Sequence, residues 1–336
     1  MIEIDGSHGE GGGQILRTAL ALSAATGEPC KVTSIRKNRP QPGLKAQHLE
    51  AARALSSLCD AEVSGMELRS TEILFRPGKI NGGKLHVNIP TAGSIALVLQ
   101  GIMIASVSSK KDISVEITGG ATSGKWAPSI NYLKNVLLPL LGKSGFEGYV
   151  DVERYGYYPE GGASVKCNFV PRSMKHIDIT ERGKIISIEG LSHASKSLEK
   201  SHVAERQKKS FTGALKADVM PVIFDSYFAA AGSGSGIDVW IKTENSFLGA
   251  GALGEKGKDA ESVGKEAAAG VRKLLESGAP LDEHAEDQLL PFMALAGSGI
   301  LSCYHMTQHA RTNISVIEKF LPVKFSLKNR ILTCES

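Results

Sequence analysis

Apolar residues recur at helical spacing over residues 14–25, then alternate with polar ones over 31–35. The first period predicts an amphipathic helix and the second a half-buried strand. A basic loop at 36–42 leads into a second helical run at 44–58, and strand-like segments at 72–76 and 84–89 close the unit. The order then returns. Thr91-Ala92-Gly93 opens a helix through 94–106, followed by a strand at 113–118, a glycine loop at 119–124, a helix at 129–141 and strands at 149–155 and 163–170. A third copy starts at Asp282-Glu283-His284, with a helix at 287–296, a strand at 300–304, a loop at 305–311, a helix at 313–320 and strands at 323–327 and 330–333.

A single unit of this kind leaves an apolar helix face open, so three units packed together bury what one cannot. Residues 183–277 break the rhythm with a strand at 185–191, a polar helix at 198–215, a strand at 237–242 and a helix at 259–276. They are expected to form a smaller α/β domain inserted between the second and third copies, and the turn Gly278-Ala279-Pro280 marks its end. The expected division is 1–182 for the first two units, 183–277 for the insertion and 278–336 for the third unit.

Composition narrows the class. Glycine makes up 37 of 336 residues, above the usual share of about 7%, so the chain is rich in tight turns. No apolar run reaches the ~18 residues of a membrane span, and the N-terminal Met1-Ile2-Glu3-Ile4-Asp5 lacks the basic and apolar regions of a signal peptide. Five scattered cysteines without a C-x-x-C pair point to free thiols in a reducing, cytoplasmic setting and away from a cysteine zinc site. A net charge of +4 permits a nucleic-acid partner without demanding one.

Several segments could carry chemistry. Gly9-Glu10-Gly11-Gly12-Gly13-Gln14 stands at a helix start, where free N–H groups suit an anion. Glu10 there reads either as a solvated turn residue or as one that faces a phosphate across a divalent cation. Gly249-Ala250-Gly251-Ala252-Leu253-Gly254 fits G-x-G-x-x-G, yet no acidic residue follows at the right distance, so it is expected to be a glycine loop. Arg36 and Arg39, in a loop stiffened by Pro40 and Pro42, could converge on one phosphate or simply form a solvated basic loop. His305 and His309 read as surface residues in a loop, or His309 as a nucleophile toward phosphorus. His309 occupies the loop of its copy that Arg36 and Arg39 occupy in theirs, so symmetric packing would bring them to one cleft. The acidic run from Asp282 to Asp287 suits a helix start, and Asp287-Gln288 could instead read a purine edge.

Together these segments resemble the RNA 3′-terminal phosphate cyclase family. The matching blocks are Gly9–Thr18, Arg36-x-x-Arg39-x-x-Pro42-Gly43-Leu44-x-x-Gln47-His48, Ala92-Gly93-Ser94 with Leu97–Gln100, Gly156-Tyr157-Tyr158-Pro159-Glu160-Gly161-Gly162, Glu286–Leu289 and His309-x-x-Thr312-Asn313. Ala163 stands where the family has a further glycine. The resemblance implies an α+β fold: three repeated units of a four-stranded sheet with two helices, similar to the C-terminal domain of translation initiation factor 3, plus a smaller inserted α/β domain. It implies ATP-dependent conversion of an RNA 3′-phosphate to a 2′,3′-cyclic phosphate, through a histidyl-AMP at His309 and an RNA-(3′)pp(5′)A end. It places Glu10 and Gln100 near a divalent cation, Mg or Mn, and the triphosphate. His284, Asp287 and Gln288 fall at the nucleotide, with Pro128 and Tyr132 flanking the adenine. Arg17, Arg36, Arg39, Gln47 and His48 fall on phosphates of ATP or of the RNA end. The implied partners are ATP and RNA with a 3′-phosphate end, with no membrane; a homodimer is compatible with the family. The competing readings are a non-catalytic ribosome-biogenesis relative that binds RNA, a small-molecule enolpyruvyl-type transferase built from related units, and a plain RNA-binding module. His309 together with Arg36, Arg39 and Gln100 favours the catalytic branch.

Overall fold

In the computed structural model, residues 1–9, 12–125 and 127–336 are described. The first unit runs β1 (Ile2–Asp5), α1 (Gly13–Thr26), β2 (Cys30–Thr33), α2 (Ala46–Cys59), β3 (Glu62–Ser64) and β4 (Ile73–Arg76). Its sheet has the order β1-β2-β4-β3, with β1 parallel to β2 and the remaining pairs antiparallel. The second unit runs β5 (Gly83–Ser94), α3 (Ile95–Ser106), β6 (Ile113–Ala121), then a continuous helix made of α4 (Ile130–Tyr132), a π-turn (Leu133–Leu137) and α5 (Leu138–Gly142), then β7 (Glu147–Arg154) and β8 (Ser164–Val170). The widened turn ends just before Pro139, which has no N–H to give to an i→i−4 ladder. The sheet order β5-β6-β8-β7 repeats the first unit strand for strand.

The third unit begins with β9 (Ile177–Ile179) and is at once interrupted. The insertion contributes β10 (Ile185–Ser195), α6 (Val203–Ala214), β11 (Val222–Phe228), β12 (Ser235–Thr243), β13 (Phe247–Leu253) and α7 (Ala260–Ser277). The chain then returns for α8 (Glu283–Leu295), β14 (Ser298–Ser302), α9 (Gln308–Phe320), β15 (Lys324–Lys328) and β16 (Ile331–Glu335). β9 lies parallel to β14, and β16 and β15 complete the same order again.

Four sequence expectations change here. The third unit does not start at residue 278: its first strand, Ile177-Asp178-Ile179, lies upstream, so the insertion sits inside the unit. Three residues are too few to show an alternating period. Residues 84–89 do not close the first unit but belong to β5, the opening strand of the second, parallel to β6. Periodicity reports a strand, not its partner. The G-x-G-x-x-G segment is no loop: Gly249 and Gly251 lie in β13, an edge strand of the insertion. His309 is not in a loop, since α9 starts one residue before it behind the N-cap Thr307, whose hydroxyl accepts from the Ala310 N–H at 3.0 Å. β11 carries no clean alternation, because only Ile223 along it is fully buried, and the pattern did not reveal it.

One core joins the three units and a second holds the insertion. α3 is buried nearly all round, from Ile95 to Ser106, as suits a helix packed between α1, α2 and α8. In the insertion α6 and α7 pack on one sheet face around Phe211, Ile237, Val239 and Val271. Gly264 permits their close approach, because a Cβ there would collide with the Gln207 carbonyl.

Candidate active site

The repeat itself assembles the site. In each unit the connection after the second strand leads into the second helix, spanning residues 34–45, 122–129 and 303–307. The first carries Arg36 and Arg39, the second Pro128, and the third leads directly into the first turn of α9 with His309; two junctions bring these residues together.

At the first junction, units one and three meet through α1 and α9. Arg36 adopts φ 56° and is buried; its Nη1 donates to the Gln41 carbonyl at 2.6 Å and the Gly43 carbonyl at 3.0 Å. It therefore braces its own loop, and burial and the neighbouring Arg39 both lower its pKa. Arg39 is exposed at the tip, near Gly12. His48 is buried at the start of α2, and its Nδ1 accepts the Lys45 N–H at 3.1 Å. In the neutral ring Nε2 then carries the proton, and it faces Gly13, where a Cβ would strike it. Burial, then Arg17, Arg36 and Lys45, push the His48 pKa down to about 3, so the ring stays neutral. Gln47 beside it is exposed.

Arg17 lies across from this histidine on α1. Burial lowers its pKa to about 10, against the pull of Asp287, so it remains cationic at neutral pH. Its Nε is buried without a hydrogen-bond partner. Asp287, on α8, accepts from Gln14 Nε2 at 2.7 Å on both oxygens and from Asn313 Nδ2 at 2.8 Å. Asn313 Oδ1 in turn accepts from the Thr18 hydroxyl at 2.6 Å. Burial raises the Asp287 pKa, while Gln14, the nearby His309, Asn313 and Arg17 act against the rise. His309 is exposed in the first turn of α9 beside this carboxylate. The backbone leading to that turn is fastened by Glu286, whose Oε1 accepts the Tyr304 N–H. Burial pushes the Glu286 carboxyl up to about 7, against bonds from the Tyr304 and His305 N–H groups, and its Oε2 is buried with no partner.

At the second junction, unit two, the insertion and unit three enclose a cavity of about 480 Å³. Pro128, Tyr132, Trp240, Gly251, His284 and Tyr304 are among its walls. Asp282 ties the three parts together. It accepts from the Tyr132 hydroxyl at 2.7 Å and the Gly249 N–H at 2.8 Å, and caps α8 through the His284 and Ala285 N–H groups at 3.0 and 2.9 Å. Gly249 lets β13 press onto the Tyr132 ring, because a Cβ would lie 2.6 Å from that ring. Asp238 is a second tie. It accepts from Ser129 Oγ at 2.8 Å and Asn131 Nδ2 at 2.7 Å, and meets His193 Nε2 at 3.1 Å. Burial works to raise its pKa, but His193, Asn131 and Ser129 outweigh burial and hold it low.

The sequence-expected residues thus divide. Pro128, Tyr132 and His284 line the cavity, whereas Arg17, Arg36, Arg39, His48, Asp287 and His309 gather around the start of α1. Gln100 is half-buried midway along α3, which packs on α1, and Gln288 is buried on α8. Neither Asp287 nor Gln288 lines the cavity as a purine reader would. Glu10 lies outside the described residues. Among the described residues no group of three or more His, Cys, Asp or Glu forms a metal site. Sequence reasoning missed Asp238, Asp282 as a fastener, and Gly249. The alternating glycines of Gly249-x-Gly251 were the available signal, because such spacing clears one strand face for a close neighbour.

The cavity and the polar cluster are joined by α8: His284 faces the cavity and Asp287, three residues on, faces His309. Three residues of helix rise about 4.5 Å, which a nucleoside and its first phosphate can bridge. A sequence profile described as RNA 3′-terminal phosphate cyclase matches residues 8–327, and the chain belongs to that family. It is 45% identical over 333 residues to the RNA 3′-terminal phosphate cyclase of Pyrococcus furiosus, covering 98% of this chain and 96% of that one. The cyclase of Methanopyrus kandleri is 43% identical over 340 residues, 98% and 96% covered, and that of Hyperthermus butylicus 44% over 333 residues, 96% and 92% covered.

Proposed function

We propose that this chain cyclises RNA 3′-phosphates at the expense of ATP, with His309 as the nucleophile. The observation that carries the reading is the α8 turn, which sets a nucleoside-sized cavity at His284 one turn from the Asp287–His309 pair. Adenosine would sit between Pro128 and His284, over Tyr132, and the phosphates would run toward Arg17 and Arg39. The buried, unpartnered Arg17 Nε fits an anion brought to it. A divalent cation is held mostly by substrate phosphates and one or two carboxylates; Glu10 is the residue assigned to it, where it would neutralise phosphate charge.

His309 attacks the α-phosphorus, the bond to pyrophosphate breaks, and a histidyl-AMP remains. Asp287 steadies the imidazolium character that develops on His309, and the start of α9 favours negative charge at the phosphorus. An oxygen of the RNA 3′-phosphate then takes AMP from the histidine. That step converts a monoester dianion, a poor electrophile, into an anhydride with AMP as leaving group. The adjacent 2′-OH attacks the activated phosphorus, gives up its proton and expels AMP, needing little further positioning. We assign the unit to the initiation-factor-3 C-terminal-like kind and the protein to the cytoplasm; the five described cysteines are all buried free thiols, as a reducing compartment allows.

Incubation with [α-³²P]ATP and Mg²⁺ or Mn²⁺ is expected to label the protein through an acid-labile, alkali-stable bond. His309→Ala is expected to take up none. Labelling of that variant overturns the nucleophile, and an unlabelled wild type that still binds RNA returns the non-catalytic reading.

A further inference from the structure

A second cavity, of about 800 Å³, opens between the insertion and the segment Tyr157-Tyr158-Pro159 of unit two. No step above uses it or that segment. It adjoins the first cavity: Gly124, Lys125, Leu253 and Glu255 line both. The joint is open, since a Cβ on Gly124 would meet no atom within 4 Å.

Three observations define its chemistry. Ser123, on its wall, is 3% exposed, and its Oγ has no hydrogen-bond partner. A buried hydroxyl left open points to a polar group supplied from outside. Tyr158 is 65% exposed on the rim, whereas its neighbour Tyr157 is buried and bonded to His193 at 2.9 Å, so among the described lining residues only Tyr158 offers a ring. Among the described residues the lining carries four cations, Lys125, Arg206, Lys256 and Lys258, against two anions, Glu255 and Asp259. Three of the cations pair with carboxylates, Lys125–Glu255 at 2.7 Å, Arg206–Glu261 at 2.6 Å and Lys258–Glu266 at 2.5 Å. Such exposed pairs are worth little and exchange readily for another anion. An exposed ring, an apolar floor at Leu253 and Val263 and a cationic rim form the recognition set for single-stranded nucleic acid.

Resting on the cyclase reading, we propose that this second cavity holds a nucleotide of the RNA strand upstream of its 3′-phosphate. Its base lies against Tyr158 and its sugar hydroxyl or phosphate reaches Ser123 and the lysines. The insertion would thereby serve as one wall of the RNA path.

The test uses Tyr158→Ala and Lys256→Glu, two exposed positions outside the chemistry. Cyclisation is measured on 3′-phosphorylated substrates lengthened from one nucleotide to six. In the wild type KM is expected to fall as nucleotides are added; in each variant the fall is lost, leaving KM about tenfold higher on the longest RNA and unchanged on the shortest. Labelling by [α-³²P]ATP without RNA should match wild type in both. A wild-type KM that ignores length, or variants equal to wild type on the longest RNA, overturns the proposal. A wild type that takes no label fails at the cyclase reading instead, so the two failures are distinct.

Discussion

The two junctions that make up the site are built on opposite terms. At the cavity, Asp282 and Asp238 are carboxylates that each accept several donors from other parts of the chain, and they hold three parts of the chain in register. Around the start of α1 Asp287 is met by Gln14 and Asn313, but the Arg17 Nε is buried with no partner. Of the three buried side-chain atoms without partners among the described residues, Arg17 Nε lies there, Glu286 Oε2 lies on α8 beside the oxygen that accepts the Tyr304 N–H, and Ser123 Oγ lines the second cavity. Satisfied carboxylates fasten a structure; open ones leave capacity for a ligand. The contrast makes the cavity the architectural half and the cluster around the start of α1 the half with capacity for a ligand.

The largest effect expected from this contrast is at Asp282. Asp282→Ala removes the acceptor for the Tyr132 hydroxyl, the Gly249 N–H and the cap of α8, and should cost about 4 kcal/mol in urea unfolding. A loss under about 1 kcal/mol would break the contrast. Asp287→Asn should act the other way. The amides of Gln14 and Asn313 can turn to meet the new one, so stability should hold within about 1 kcal/mol. Adenylylation should fall about a hundredfold, because the charge beside His309 is gone.

A subtler pair of effects separates Glu286 on α8 from His48 on α2 by pH. Glu286 rises from an ordinary 4.5 to about 7 in the fold. Its stability contribution is therefore full below pH 4.5 and lost as pH climbs through 7, up to about 3 kcal/mol. His48 falls from 6.5 to about 3, so its contribution is full above pH 6.5 and lost as pH drops toward 3. Melting curves across pH should show Glu286→Gln flattening the neutral-side decline and His48→Gln flattening the acid-side one. Identical curves for variants and wild type would remove both assignments. The smallest effect is expected at Arg36→Lys. A point charge replaces the guanidinium that donates to the Gln41 and Gly43 carbonyls, costing about 1 kcal/mol and loosening Arg39's loop, read as a higher KM for RNA.

What the sequence made legible follows the same divide. The helices announced themselves as apolar periods, and the repeat pointed to the segment that holds His309, although it placed His309 in a loop like that of Arg36 and Arg39 and the structure places it in the first turn of α9. Capping chemistry marked Asp282 as a helix start, though not as the tie to Tyr132 and Gly249. Asp238 gave no local sign, because its role depends on how the insertion lies against Ser129 and Asn131. The placement of β9 was hidden for a related reason: its partner β14 lies far along the chain, and nothing in Ile177-Asp178-Ile179 names it.

That interrupted third sheet also sets an order of events during synthesis. Ile177 must wait for Gly299 before β9 has a partner, and the whole insertion is made in between. Closing so long a loop is slow unless the insertion first folds and draws its ends together. The helix that carries His309 follows β14, so that side of the site is completed last. A ribosome-bound or truncated chain would hold two finished units and no His309, and on the proposed reading activity would begin only once nearly the entire chain has emerged.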